Sequence, residues 1–136
     1  MYRLFFVLAI VFSSTLSAKS EKTTSGAEFI KIMKEYSEFH TTLIKQLEVF
    51  KKESDLTDKA CEDFLTSFKA FKALEEKTIP QLSLSKEEFK KIEKEYKEIT
   101  TALSPIEEKL MEEAKRLHKI DSKKVLSLFF ADYGLE

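Results

Sequence analysis

Glycine, proline, cysteine and tryptophan are scarce in this chain. Of its 136 residues, two are Gly, two are Pro, one is Cys and none is Trp. Two glycines are too few for the tight turns of most β-sandwiches and barrels, and they provide no Gly-rich loop to cradle a phosphate. One cysteine excludes a disulfide framework, a Cys-x-x-Cys redox pair and a multi-cysteine zinc site. Neither sign of charge dominates, with 23 Lys+Arg against 24 Asp+Glu, so no overall field draws the protein to nucleic acid. What is present is charge of both signs, 35% of residues, set against a hydrophobic 43% that includes twelve Phe. That much Phe is incompatible with a disordered polyampholyte, and the length suits one folded domain.

The amino terminus reads as an export signal. Met1-Tyr2-Arg3 supplies a positive charge, Leu4 to Phe12 is an unbroken apolar run, and Ser13 to Ala18 supplies small residues for cleavage after Ser17 or Ala18. The run is too short to cross a bilayer, which takes about 20 residues. No cysteine follows it, so a lipid anchor at that junction is not expected. The expected organisation is a signal peptide over 1–18, a flexible polar arm over 19–24 and one helical-bundle domain over 25–136. With the signal removed no transmembrane span is expected, and the protein belongs in the periplasm or outside the cell.

Helical periodicity runs through the rest. Ser25 and Glu28 form a capping-box pattern ahead of Phe29, Ile32, Met33, Tyr36, Phe39, Leu43, Leu47 and Phe50, which recur at steps of three and four. This stripe predicts a first helix reaching about Lys52. Thr57 is placed to cap a second helix carrying Cys61, Phe64, Leu65, Phe68, Phe71 and Leu74, which Thr78-Ile79-Pro80 should end. Ser85 and Glu88, with Leu84 and Phe89 as a hydrophobic staple, start a third helix through Ile92, Tyr96, Ile99, Leu103, Ile106, Leu110 and Leu117. Pro105 resembles a new helix start, yet the apolar phase does not slip across it. One long helix over about 86–119, kinked near 101–104, fits better than two. Asp121 should cap a last short helix closed by Gly134. No segment has strand periodicity. The expected fold is all-α: an antiparallel up-down-up three-helix bundle with a long third helix and a short C-terminal helix. Glu87 with Lys91, Glu93 with Lys97 and Glu112 with Arg116 are spaced as surface ion pairs worth only tenths of a kcal/mol each, so stability has to come from the Phe-rich seam.

The search for catalytic chemistry gives little. Neither His40 nor His118 has the Glu three residues earlier that a di-iron bundle uses, and Cys61 is not part of a haem-attachment motif. The two histidines could meet only across helices. Every carboxylate sits within Lys/Glu alternation and reads as part of a solvated face. No catalytic residue, metal ligand or cofactor is therefore assigned. Cys61 lies in phase with Phe64 and Phe68, as a small buried residue would; an odd cysteine in an exported chain alternatively makes an intermolecular disulfide. The segment most suited to interaction is the last helix. Val125, Leu126, Phe129, Phe130 and Tyr133 spread over more than one helical face, which suits either a lid on the bundle or a contact with a partner protein.

A signal peptide, a first helix, a second helix ending near Pro80, and Ser85-Lys86-Glu87-Glu88 opening a long Lys/Glu-rich helix resemble a loose group of small exported bacterial helical proteins without an assigned activity. The resemblance implies a bacterial periplasmic setting and carries over no functional residue. The functional expectation is a non-enzymatic, exported protein-binding module of chaperone, inhibitor, immunity or envelope-adaptor type. The alternatives are a carrier of a small apolar ligand between Phe-lined helices and a self-assembling structural protein.

Overall fold

The structure, a computed structural model, describes residues 24–135. The segment expected to be an export signal, 1–18, lies outside the described residues, as does the arm up to residue 23. Three hydroxyl side chains start the three long helices. Ser25 accepts from the Glu28 N–H at 3.1 Å and opens α1, Gly26–Glu48. Thr57 accepts from Ala60 at 3.2 Å and opens α2, Asp58–Ala73. Ser85 accepts from Glu88 at 3.1 Å and opens α3, Lys86–Ile120. Each satisfies a backbone donor that the first helical turn leaves free. A fourth, short helix, α4, spans Ser127–Asp132. No strand occurs among the described residues, so the fold is all-α as expected.

Paired contacts give the direction of each helix. Gly26 meets Glu88, Lys34 meets Glu95, His40 meets Glu107 and Leu47 meets Arg116, so the numbers rise together and α1 and α3 run parallel. Between them α2 runs the other way, its carboxyl end beside the middle of α1, where Tyr36 stacks on Phe71 with ring centroids 5.4 Å apart. The chain turns back again in α4. Phe129 stands edge-on to Phe64 and Phe68 of α2 at 5.0 and 5.4 Å, while Phe130 meets His118 of α3 at 5.1 Å. The C-terminal helix is therefore an inner wall between α2 and α3, and the bundle closes with four helices.

The core has two parts. The larger joins all four helices through Tyr36, Leu43, Phe64, Phe68, Phe71, Leu103, Leu110, Leu117 and Phe129. The smaller lies at the start of α1 and α3, where Phe29, Ile30, Met33, Leu84, Ile92 and Tyr96 pack together. Close approach there needs Gly26. A Cβ at that position would lie 2.8 Å from Ile92 Cγ2 and 3.1 Å from the Glu88 carbonyl oxygen. The Gly26 N–H also donates to Glu88 Oε1 at 2.8 Å. The Glu88 carboxylate, expected to complete a local capping box, binds the neighbouring helix and Lys91 instead.

Several element ends differ from expectation, and each has a local cause. The first helix stops at Glu48 rather than near Lys52 because Arg116 takes up the carbonyl groups of Leu47 and Phe50, which frees the chain to leave the helix. After α2 the chain stays helical past Pro80, in a π turn over Leu74–Thr78 and a 3-10 turn over Ile79–Gln81. Pro80 falls within that turn's first residues, where its missing N–H costs no hydrogen bond. Helix α3 runs unbroken through Pro105, giving 35 residues and roughly 50 Å of helix. The proline deprives the Thr101 carbonyl of its helical donor, but both residues face solvent and water supplies one. The last helix begins at Ser127, not beside Asp121. The buried Asp121 carboxylate instead holds the N–H groups of Val125 and Leu126 at 3.0 and 2.8 Å across a turn with Lys124 in the left-handed region. Thr24, placed in the expected flexible arm, is buried and exchanges hydrogen bonds with Ser83. Of the expected surface pairs, Lys91 bonds Glu88 and Arg116 bonds Glu113, each one residue away from the forecast partner.

Phe68 touches Phe64, Phe71 and Phe129, so Phe68→Ala should cost about 3–5 kcal/mol in chemical denaturation. A loss below about 1 kcal/mol would remove it from the seam. Tyr96 gives a second test. Its buried hydroxyl meets no hydrogen-bond partner among the described residues, and burial pushes the phenol up to about 12. A group whose folded value is raised stabilises fully below its unfolded value and loses that contribution as pH climbs through the folded one. The native state should accordingly weaken between pH 10 and 12. Tyr96→Phe should leave stability at neutral pH equal or higher by about 1 kcal/mol and flatten that alkaline decline. Urea midpoints measured across the pH range check both.

Candidate functional site

The residues assigned to partner contact from sequence do not form an exposed surface. Leu126, Phe129 and Phe130 are fully buried, Tyr133 is half-buried against Phe129, and only Val125 of the five is open, at 40%. The apolar excess of the last helix is consumed by facing α2 on one side and α3 on the other. Its exposed remainder is Leu128 at 59%. Cys61 is a free thiol buried in the core. Burial pushes its pKa up, with Asp121 and Asp58 adding to the effect, so the thiol is neutral and enclosed. An intermolecular disulfide would require α2 to lift off the bundle.

The densest polar cluster lies inside the bundle. Tyr36 on α1 donates to Glu75 Oε2 at 2.9 Å, and Glu75 Oε1 accepts from Lys72 Nζ at 2.8 Å. Lys72 donates again, to Asp132 of α4 at 2.8 Å. One turn beyond Tyr36, His40 Nδ1 lies 2.9 Å from the Tyr36 carbonyl oxygen, which can only accept, so this nitrogen carries a proton. The opposite nitrogen, Nε2, faces Glu107 of α3 at 4.0 Å. Tyr36 and Phe71 stand edge-on to the His40 ring at 4.8 and 4.9 Å. The cluster joins α1, the π turn, α2, α3 and α4 around one aromatic centre. Burial would lower the Lys72 pKa, but the hydrogen bonds to Asp132 and Glu75 outweigh it and hold the lysine above its ordinary value. An imidazole facing a carboxylate has the composition of a general base, but full burial closes His40 to any substrate in this arrangement.

The sequence contained a signal for this cluster. Glu107 sits four residues after Leu103 and three before Leu110, and His40 sits four after Tyr36 and three before Leu43, so both occupy core positions of their stripes. The two histidines do not meet. His118 lies beside Phe130, with Lys124 Nζ 3.1 Å from its Nε2. Among the described residues no group of three or more His, Cys, Asp or Glu is arranged to hold a metal ion, and no helix is long and apolar enough to cross a membrane.

On the outer side of the parallel pair, a shallow groove of about 470 Å³ runs between α1 and α3. Thr41, Ile44, Lys45 and Glu48 form one wall and Pro105, Ile106 and Lys109 the other. Lys109 and Glu48 bridge its upper end at 2.9 Å, and this contact lowers the Glu48 pKa and raises that of Lys109. The groove lies where both helices stop alternating charge: Phe39–Ile44 in α1 and Ile99–Ile106 in α3 hold no Lys, Arg, Asp or Glu. Exposed Thr41, Thr101, Ala102 and Pro105 make this stretch an uncharged band in an otherwise charged face.

Lys72→Met would break the tie between α2 and α4 and remove the ammonium that Glu75, Glu76 and Asp132 share. The expected loss is about 1–3 kcal/mol, with amide exchange rising first over Ser127–Asp132 while α1 and α3 stay protected. Uniform protection after the substitution would refute this anchoring role. No family model matches the chain, and no curated protein and no solved structure matches it.

Proposed function

We propose that the protein is an exported, non-enzymatic helical bundle that works by binding another polypeptide, in the manner of a chaperone, inhibitor, immunity protein or envelope adaptor. The observation behind this reading is the uncharged band over the α1/α3 groove. A Lys/Glu-rich helix has no solubility reason to drop its charges at exposed positions, and doing so on two adjacent helices at one height makes a continuous contact area. On this reading the contact lies on the middle of the parallel pair and not on the C-terminal helix, whose Leu126, Phe129 and Phe130 are buried. Val49, the residue after groove-lining Glu48, is an exposed apolar side chain. Export rests on the arrangement of Met1–Ala18, a basic start, an apolar run and small residues.

Tagged protein from its own cells should retain a stoichiometric polypeptide. Thr41→Glu with Ala102→Glu should weaken that capture at least about 10-fold while leaving helicity and melting temperature nearly unchanged, because both sites are exposed. Terminal sequencing of the same material should begin at Ala18 or Lys19. Capture that survives the double substitution would remove the band from the mechanism, and a chain starting at Met1 would remove export.

A further inference from the structure

The charges bordering the groove differ in balance between its two ends: outside the bridges Lys34–Glu95 and Glu48–Lys109, one end carries Glu38 and Glu98 and the other Lys45. Glu38 lies seven residues before Lys45, so the two share one face of α1 with Thr41 between them. On α3, Glu98 lies seven residues before Pro105 and Lys109 four after it, again on one face. The bridges Lys34–Glu95 and Glu48–Lys109 fix the register of the two helices, and they put Glu38 level with Glu98 and Lys45 level with the wall formed by Pro105 and Ile106. Along the groove the surface therefore reads acid, uncharged, then mixed with a basic excess, because Glu48 lies on the lining with Lys45 and Lys109 and bridges Lys109. All four charged residues, and Thr41, Ala102 and Pro105 between them, are exposed.

A surface of this pattern complements itself once it is turned end for end. A twofold axis lying across the two helices lays α1 over α1 of a second copy and α3 over its α3, both antiparallel. Glu38 and Glu98 then face Lys45 and Lys109 of the other molecule, twice, while the two uncharged bands meet at the centre. A parallel arrangement would instead set acid on acid and base on base. We propose that the α1/α3 groove is the contact of an antiparallel homodimer, with a second copy of this chain as its occupant. The inference rests on the reading of the band as a docking surface and names its partner. Twofold pairing is the common form of self-association because one patch serves both molecules. The band is small, so the dimer is weak and reversible, forming at roughly micromolar to millimolar concentration.

Sedimentation equilibrium on the full chain tests this with two charge-reversed variants, Glu38→Lys with Glu98→Lys, and Lys45→Glu with Lys109→Glu. Wild type should approach twice its monomer mass as concentration rises. Each variant alone should dimerise about 10-fold or more weakly, since like charges then meet at both ends. An equimolar mixture should recover the wild-type association, because reversed acids face reversed bases at one end and native bases face native acids at the other. Circular dichroism of each variant excludes misfolding, and Lys45→Glu alone, which leaves the Glu48–Lys109 bridge intact, should weaken dimerisation in the same direction. A wild type that stays monomeric throughout the range overturns the inference, as does a dimer indifferent to both variants or a mixture that is not rescued. If the wild type is monomeric while Thr41→Glu with Ala102→Glu still abolishes capture of a different polypeptide, self-docking fails and the protein-binding reading stands. If that capture is also unaffected, both fail.

Discussion

Parallel packing of α1 on α3 constrains every other element of the chain. The two helices start together, at Gly26 and Glu88, and remain paired as far as Leu47 and Arg116. The chain must therefore travel back along about 35 Å between leaving one and entering the other. Helix α2, with 16 residues, covers only about 24 Å of that return. The π and 3-10 turns and then Leu82 and Leu84 supply the rest, which explains why a second, smaller core lies beyond the end of α2. At that end the two long helices approach closely enough that Gly26 has no room for a side chain. The backbone N–H exposed by the missing side chain becomes the contact that Glu88 uses.

The polar cluster follows from the same geometry. Four helices of unequal length do not close an apolar core evenly, and α4 contributes only six residues to the gap between α2 and α3. Phe129 fills the gap, but packing alone gives a short helix little to hold its register. Lys72 supplies that register by placing one ammonium between Glu75 and Asp132. Glu75 in turn receives the Tyr36 hydroxyl, so a charge on α2 fixes α4 and α1 together. Such groups are costly to bury and are tolerated where each is hydrogen-bonded.

The sequence revealed local features well and tertiary features poorly. Ser25, Thr57 and Ser85 cap helices where their spacing indicated, because a cap is decided within four residues. Pro105 was rightly placed inside one helix, since the apolar phase of Tyr96, Leu103 and Leu110 reports a surface much longer than any single proline. Helix ends were misjudged where a distant residue set them, as Arg116 does for Leu47 and Phe50. Glu88 deserted its local box for a donor 62 positions away, which no spacing rule anticipates. The last helix was left open between a lid on the bundle and a partner contact, because Leu126, Phe129 and Phe130 are too apolar for a surface helix; α4 in fact has core on two sides. Glu75, His40 and Glu107 were in phase with the core stripes, yet the Lys/Glu alternation around the two glutamates disguised them as surface residues. The groove needs two helices in register and so was invisible, although the uncharged runs Phe39–Ile44 and Ile99–Ile106 were open to reading.

Charge explains why that groove stands out. Lys, Arg, Asp and Glu nearly cancel in this chain, so its solubility depends on the local mixture of charges, not on net repulsion. Along most of α1 and α3 every exposed turn carries such a mixture, and single bridges such as Lys34–Glu95 add little stability while keeping the face hydrated. Removing charges from two adjacent turns at one level lowers the cost of drying that patch without adding a large apolar area. In the proposed contact, Glu38 and Glu98 at one margin and the basic excess around Lys45 at the other would orient the occupant. The contact proposed there is weak and directional. It is selected through its register, and the parallel pair of α1 and α3 keeps that register rigid.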